Sequence, residues 1–102
     1  MSPTQLTLRE LRKRGYMAEV VERWNPHAKI RQDLFKIIDV LGVGPLGTVG
    51  VQCTTKSNLK SRITKMSDAE AIGPLREANW TLLAHGWFKQ AGRWQLQEVD
   101  LS

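Results

Sequence analysis

"DLFKIIDVLGVGPLGTVGVQCT", residues 33–54, decides the fold. In its first half Leu34, Phe35, Ile37, Ile38, Val40 and Leu41 crowd together, so a strand over residues 33–43 is expected to be buried on both faces. "GPLG" then turns the chain. Val49, Val51 and Cys53 alternate as a pleated strand should, and residues 48–54 are expected to pair back as the hairpin partner. Two such strands need a covering layer on each side. One residue breaks the apolar pattern, Asp39 between Ile38 and Val40.

The flanking sequence supplies those layers. Ser2, Pro3 and Gln5 form a helix start, with a capping serine and proline at the first helical position, and Gly15 offers the left-handed stop. These signals bound a helix over residues 3–14, with Leu8 and Leu11 on its buried side. "YMAEVVERW", Tyr16 to Trp24, reads as a strand placing Tyr16, Ala18, Val20, Glu22 and Trp24 on one face. "NPHAKIRQ" is a polar connection. Beyond the central hairpin, Asn58 caps a helix carrying Leu59, Arg62, Ile63 and Met66, and Ser67 with Glu70 gives a second capping signal. Gly73 and Pro74 interrupt the next segment, and "PLREAN" forms a last helical turn. "WTLLAHGWFK" and "RWQLQEVDL" around "QAG" close the chain as a β-hairpin, with Trp80, Trp87 and Trp94 as packing groups. The order is helix, three strands, helical segment, two strands. It describes one α/β domain over residues 1–102, a mixed central sheet flanked by helices.

Composition bounds the partners. The 102-residue chain carries 15 Lys+Arg against 10 Asp+Glu, a net charge of +5, which favours an anionic partner. Arg9, Arg12, Lys13 and Arg14 crowd the first helix with only Glu10 among them, and Lys56, Lys60, Arg62 and Lys65 form a second run without an acid. Two such clusters can straddle a phosphate backbone, although solvated helix faces have the same composition. No segment reaches the roughly 18 apolar residues of a membrane span, and the charged start does not read as a signal peptide. A soluble, intracellular, cytoplasmic protein is expected. Cys53 is alone and His27 and His85 stand far apart, so neither a disulfide nor a zinc site is expected.

Asp39 carries the chemistry. A carboxylate sunk among aliphatics loses hydration worth several kcal/mol unless a cation or good hydrogen bonds replace it. If the two central strands are neighbours, Asp39 lies near Gln52 and the backbone carbonyl of Cys53, and Glu22 adds a second acid. These hard oxygen donors suit magnesium and leave positions open for water and a phosphate. The competing reading pairs Asp39 with Arg31 or Arg62, and Glu22 with Arg23 or Lys89. Asp33 reads as a residue that opens the strand.

The ordered segments "GYMAEVVERW", "RQDLFKIIDVLGV", "GVQCTTKSNLKSRITK" and "HGWFKQAGRWQL" resemble the small nucleases of the PD-(D/E)XK superfamily, with their restriction-endonuclease-like fold. The resemblance implies Asp39 as the central metal ligand, Gln52 at the first place of the acidic-x-Lys element, and Glu22 as an auxiliary acid. Thr54 stands where that element's lysine belongs, so the positive charge would come from Lys56, Lys60 or Lys65. The implied activity is hydrolysis of phosphodiester bonds in DNA with magnesium or manganese. Arg9, Arg12, Lys13, Lys56, Asn58, Lys60 and Arg62 would grip the backbone without reading bases. Such nucleases commonly act as homodimers. If the departures at Gln52 and Thr54 mean a lost site, the chain is instead a DNA-binding module without activity. A structural or protein-interaction domain with an incidental basic surface is the third reading.

Overall fold

In the computed structural model, which describes residues 1–102, the chain is built around strand β5 (Gly47–Thr55), whose residues Val49 to Thr54 are all buried. That strand pairs antiparallel with β4 (Val40–Gly44) on one side and parallel with β6 (Thr81–Gln90) on the other. A strand flanked on both sides and covered on both faces has no solvent face to alternate towards. Strand β1 (Met17–Val20) extends the sheet beyond β4, and β7 (Arg93–Asp100) beyond β6, giving a mixed five-stranded order β1-β4-β5-β6-β7. The parallel β5–β6 pair requires a crossover. It is made by a 3₁₀ turn (Lys56–Asn58) and helices α2 (Leu59–Asp68) and α3 (Ile72–Glu77).

Each face has its own core. Helix α1 (Pro3–Lys13) begins where Ser2 Oγ accepts the Gln5 amide at 3.2 Å. It covers Ala18, Val40, Val49, Val51, Cys53 and Leu83 with Leu11. On the opposite face Leu59, Met66, Ile72 and Leu75 meet Ile37, Ile38, Leu82 and Ala84. Gly50 lets the second layer approach, since a Cβ there would lie 2.7 Å from Ile38 Cδ1. Ile38 is thereby pressed onto the sheet beside Asp39.

The structure departs from the sequence reading in three places that matter for the site. The strand expected from Tyr16 to Trp24 ends at Val20. The Val21 amide still donates to the Asp39 carbonyl at 2.8 Å, after which the chain leaves the sheet. It then forms a separate two-stranded ribbon of β2 (Arg23–Asn25) and β3 (Ile30–Gln32). "NPHAKIRQ" is therefore a turn plus a strand. Second, the strand expected from residue 33 begins only at Val40. Residues 33–39 fold into a tight turn in which Leu34 and Ile38 exchange both backbone hydrogen bonds at 2.9 Å, with Phe35 and Lys36 at φ 53° and 69°. The turn drives Ile37 and Ile38 inward and leaves Phe35 51% exposed. An unbroken apolar run looks the same whether it is a buried strand or a turn with buried shoulders. Third, Ser67 caps nothing, because α2 runs through it to Asp68, and Asn58 makes no side-chain cap. Gly73 and Pro74 fall in the first turn of α3, where proline lacks only an amide that has no partner there. Of the hairpin tryptophans, Trp87 is buried, and Trp80 and Trp94 are half-buried.

Candidate functional site

Asp39 sits at the mouth of β4, held by its own backbone. Its amide donates to the Val51 carbonyl at 2.9 Å and its carbonyl accepts from Val21. This clamp aims the side chain at β5, where Oδ2 accepts the Cys53 amide at 2.8 Å and Gln52 Nε2 at 2.5 Å. Asp39 is 3% exposed and Gln52 1%. Glu22 arrives from the end of β1 and Asp33 from the end of β3. One carboxylate oxygen from each of Glu22, Asp33 and Asp39 lies within 4.8 Å of the others. Gln52 Nε2 also donates to Asp33 Oδ2 at 3.3 Å, and Lys65 Nζ, reaching over from α2, donates to the same oxygen at 3.4 Å. Thr4 of α1 donates its hydroxyl to Glu22 at 3.4 Å.

The electrostatics of this cluster are those of a site short of positive charge. Burial above all, then the hydrogen bond with Asp33, and then the charges of Asp33 and Glu22 push the Asp39 carboxyl up to about 7, against the stabilising Cys53 amide. Gln52 Oε1 is buried without a hydrogen-bond partner, an arrangement that costs about 1–3 kcal/mol in a folded protein. Three converging carboxylates fit a hard divalent cation such as Mg²⁺ or Mn²⁺; Gln52 now turns its NH₂ to Asp39 and Asp33, and turning the amide over would bring its orphaned oxygen to the cation. The Cys53 carbonyl adds a further oxygen. In an extended strand a residue's N–H and C=O face the same edge, and the Cys53 N–H is bonded to Asp39. Burial raises the Cys53 thiol far above its ordinary range, so the sulfur packs as a neutral group and is no nucleophile.

These acids form the floor of a groove of about 1130 Å³. Arg23 and Arg31 of the ribbon, Lys36 of the turn over residues 33–39, and Arg62 and Lys65 of α2 line it. The expected cluster of Asp39, Glu22, Gln52 and Cys53 is thus brought together, and neither acid takes an arginine. Of the expected lysines, only Lys65 reaches it. Lys56 turns away, its Nζ 4.4 Å from the centre of the Phe88 ring, and Lys60 is exposed on α2 outside the groove. Asn58 donates to Thr55 Oγ1 at 3.3 Å, closing the polar turn that ends β5. Thr54 lies on the same face of β5 as Gln52, buried and uncharged.

The two basic runs lie on different helices, one on each face of the sheet, and a sheet covered on both faces holds those helices apart. Arg9, Arg12 and Lys13 are exposed on the α1 side. The Arg12 guanidinium is engaged at home, donating to the Ala18 carbonyl at 2.9 Å.

Sequence reasoning missed Asp33, which belongs to the cluster, because a strand beginning at residue 33 would have carried it away from Asp39. It also missed a second polar network. Trp87 Nε1 donates to Thr7 Oγ1 at 2.9 Å, Thr7 Oγ1 lies 2.9 Å from His85 Nδ1, and His85 Nε2 lies 2.7 Å from Glu98 Oε2, which also accepts from Arg14. Burial lowers the His85 pKa. A neutral ring satisfies every partner if Nε2–H donates to Glu98 and Nδ1 accepts the Thr7 hydroxyl. The network ties α1 to β6 and β7 and lies away from the groove. Compared with protein-family models, with curated proteins and with solved structures, the chain matches none.

Proposed function

We propose that this chain is a metal-dependent endonuclease that hydrolyses phosphodiester bonds in DNA. The observation that carries this reading is the convergence of Glu22, Asp33 and Asp39 on one point beside Gln52, at the floor of a groove walled by arginine and lysine. Acids alone would repel a phosphate, and basic walls alone would only bind one. Together they suit a site where a cation joins the carboxylates to the phosphate. The PD-(D/E)XK resemblance is supported by an acid at the mouth of one central strand and a polar residue on its neighbour, with a lysine from the following helix. In this reading the β2–β3 ribbon is an insertion into a restriction-endonuclease-like domain.

A bound Mg²⁺ or Mn²⁺ supplies Lewis-acid activation of water and of the scissile phosphate. Glu22, Asp33 and Asp39 would hold it, with the Gln52 amide oxygen and the Cys53 carbonyl alongside. Lys65 takes the part of the missing lysine. Its ammonium rests on Asp33 and can turn to the charge that grows on the phosphate oxygens. Arg62 and Arg31 position the phosphodiester within the groove. The neutral residue at Thr54 favours one alternative, a DNA-binding module of the same fold that has lost its activity. A plasmid-nicking assay separates them. Nicking that requires Mg²⁺ or Mn²⁺, stops with chelator and disappears in Asp39→Asn is the expected outcome. Metal-independent nicking, or no cutting by the wild-type protein of either the plasmid or a single-stranded DNA circle, refutes the nuclease reading.

A further inference from the structure

The β2–β3 ribbon stands apart from the central sheet, and between Glu22 and Asp33 it carries Arg23, Lys29 and Arg31 and no acid. Two short strands alone are marginal in water, so its turn is braced. Asn25 Oδ1 accepts the amides of His27 and Ala28 at 3.0 and 3.2 Å, and Asn25 Nδ2 donates to Gln32 Oε1 at 3.3 Å. Trp24 is directly opposite Arg31 in the register, so the two side chains share a face of the ribbon. That tryptophan is 56% exposed, while Trp80, Trp87 and Trp94 are all at least half covered. An indole left in water forgoes the burial that its area would gain.

Arg23 and Arg31 of the ribbon line the same groove as Arg62 and Lys65 of α2. A polyanionic strand in the groove therefore meets several cations, while Trp24, outside the groove lining but on the same ribbon face as Arg31, offers a flat apolar face beside it. Bases inside a duplex are already stacked on each other. Only an unpaired base has a face free for the indole.

We infer that the ribbon is a clamp for single-stranded DNA, in which Arg23, Lys29 and Arg31 take phosphates and Trp24 stacks on an unpaired base. The clamp deepens the nuclease reading, because it selects DNA with unpaired nucleotides next to the phosphate to be cut. Its binding is measurable without any cutting.

Fluorescence anisotropy tests it, with a fluorescein-labelled oligothymidylate and a blunt duplex of equal length, both in chelator. Trp24→Ala should weaken binding of the oligothymidylate about tenfold, the loss of one stacked base, and that of the duplex by less than about threefold. Trp24→Phe should recover most of the loss. Replacing Arg23, Lys29 and Arg31 together by alanine should reduce the salt slope for oligothymidylate by about 2. Equal losses on both ligands, or no loss with Trp24→Ala, would overturn the clamp, and tighter binding of oligouridylate would overturn its assignment to DNA. If Trp24→Ala weakens oligothymidylate binding as expected yet the wild-type protein with Mg²⁺ or Mn²⁺ cuts neither plasmid nor a single-stranded DNA circle, the nuclease reading is refuted and the clamp stands.

Discussion

Replacing Asp39 by asparagine should make the metal-free protein more stable, in a way that depends on pH. The carboxyl is 3% exposed, and its pKa is raised from 3.8 to about 7, chiefly by burial and then by the neighbouring Asp33. At about 1.4 kcal/mol per pH decade, keeping Asp39 ionised in the fold costs about 4 kcal/mol more than in the unfolded chain. The sign comes from proton binding. Between pH 3.8 and about 7 the folded state holds the proton that the unfolded state has released, so stability falls as pH rises through this window and the full cost is present above it. Asparagine mimics the protonated acid. Its oxygen can accept from Gln52 and Cys53, and its NH₂ can donate to Asp33. Urea unfolding in chelator should therefore show Asp39→Asn more stable than wild type by about 4 kcal/mol at alkaline pH, with the gap closing towards pH 4. Saturating Mg²⁺ should close the gap from the other side by stabilising only the wild type. A variant equal to or weaker than wild type at alkaline pH without metal would show that the cluster is not frustrated and would remove the main physical reason for a cation there.

The same geometry sets three further outcomes. Lys65→Met should lower the nicking rate by about 10²–10³-fold, the usual loss of one charge-stabilising donor, with DNA retention nearly unchanged, whereas Lys56→Met should alter the rate by less than about threefold; the reverse ranking would move the catalytic charge to the other lysine. At limiting Mg²⁺ the rate should rise with pH through about 7, because the metal competes with a proton on Asp39, and this limb should shift to lower pH as Mg²⁺ increases; a limb indifferent to metal concentration would contradict that competition. His85, whose pKa burial lowers from 6.5, stabilises the fold as a neutral ring. That contribution is present above the ordinary histidine pKa and is lost as pH falls below it, so the unfolding midpoint of the wild type should fall more steeply on acidification than that of His85→Gln.

What the sequence disclosed was a matter of periodicity and of oddity. Residues 48–54 alternate cleanly, and the strand appears where the alternation puts it. The first helix is announced by Ser2, Pro3 and Gly15, and Asp39 stands out because it interrupts an apolar run. The turn at residues 33–39 was not legible, since Leu34, Phe35, Ile37 and Ile38 are as apolar as a strand, and only the tertiary packing decides that Phe35 turns outward. That single error hid Asp33, whose place in the cluster depends on the turn. The break after Val20 was hidden for a similar reason. "VERW" continues the alternation, but beyond the Val21–Asp39 bond the partner strand gives way to the turn over residues 33–39, so nothing is left for it to pair with. The helix that supplies Lys65 was expected, but the choice between Lys56 and Lys65 required knowing that Phe88 lies under Lys56.

The most direct measurement is anomalous diffraction from crystals equilibrated with Mn²⁺ at alkaline pH. A peak bounded by carboxylate oxygens of Glu22, Asp33 and Asp39, with Lys65 displaced from Asp33, is the expected result. Saturating Mn²⁺ that leaves no peak among these acids, with Lys65 still seated on Asp33, would contradict the account.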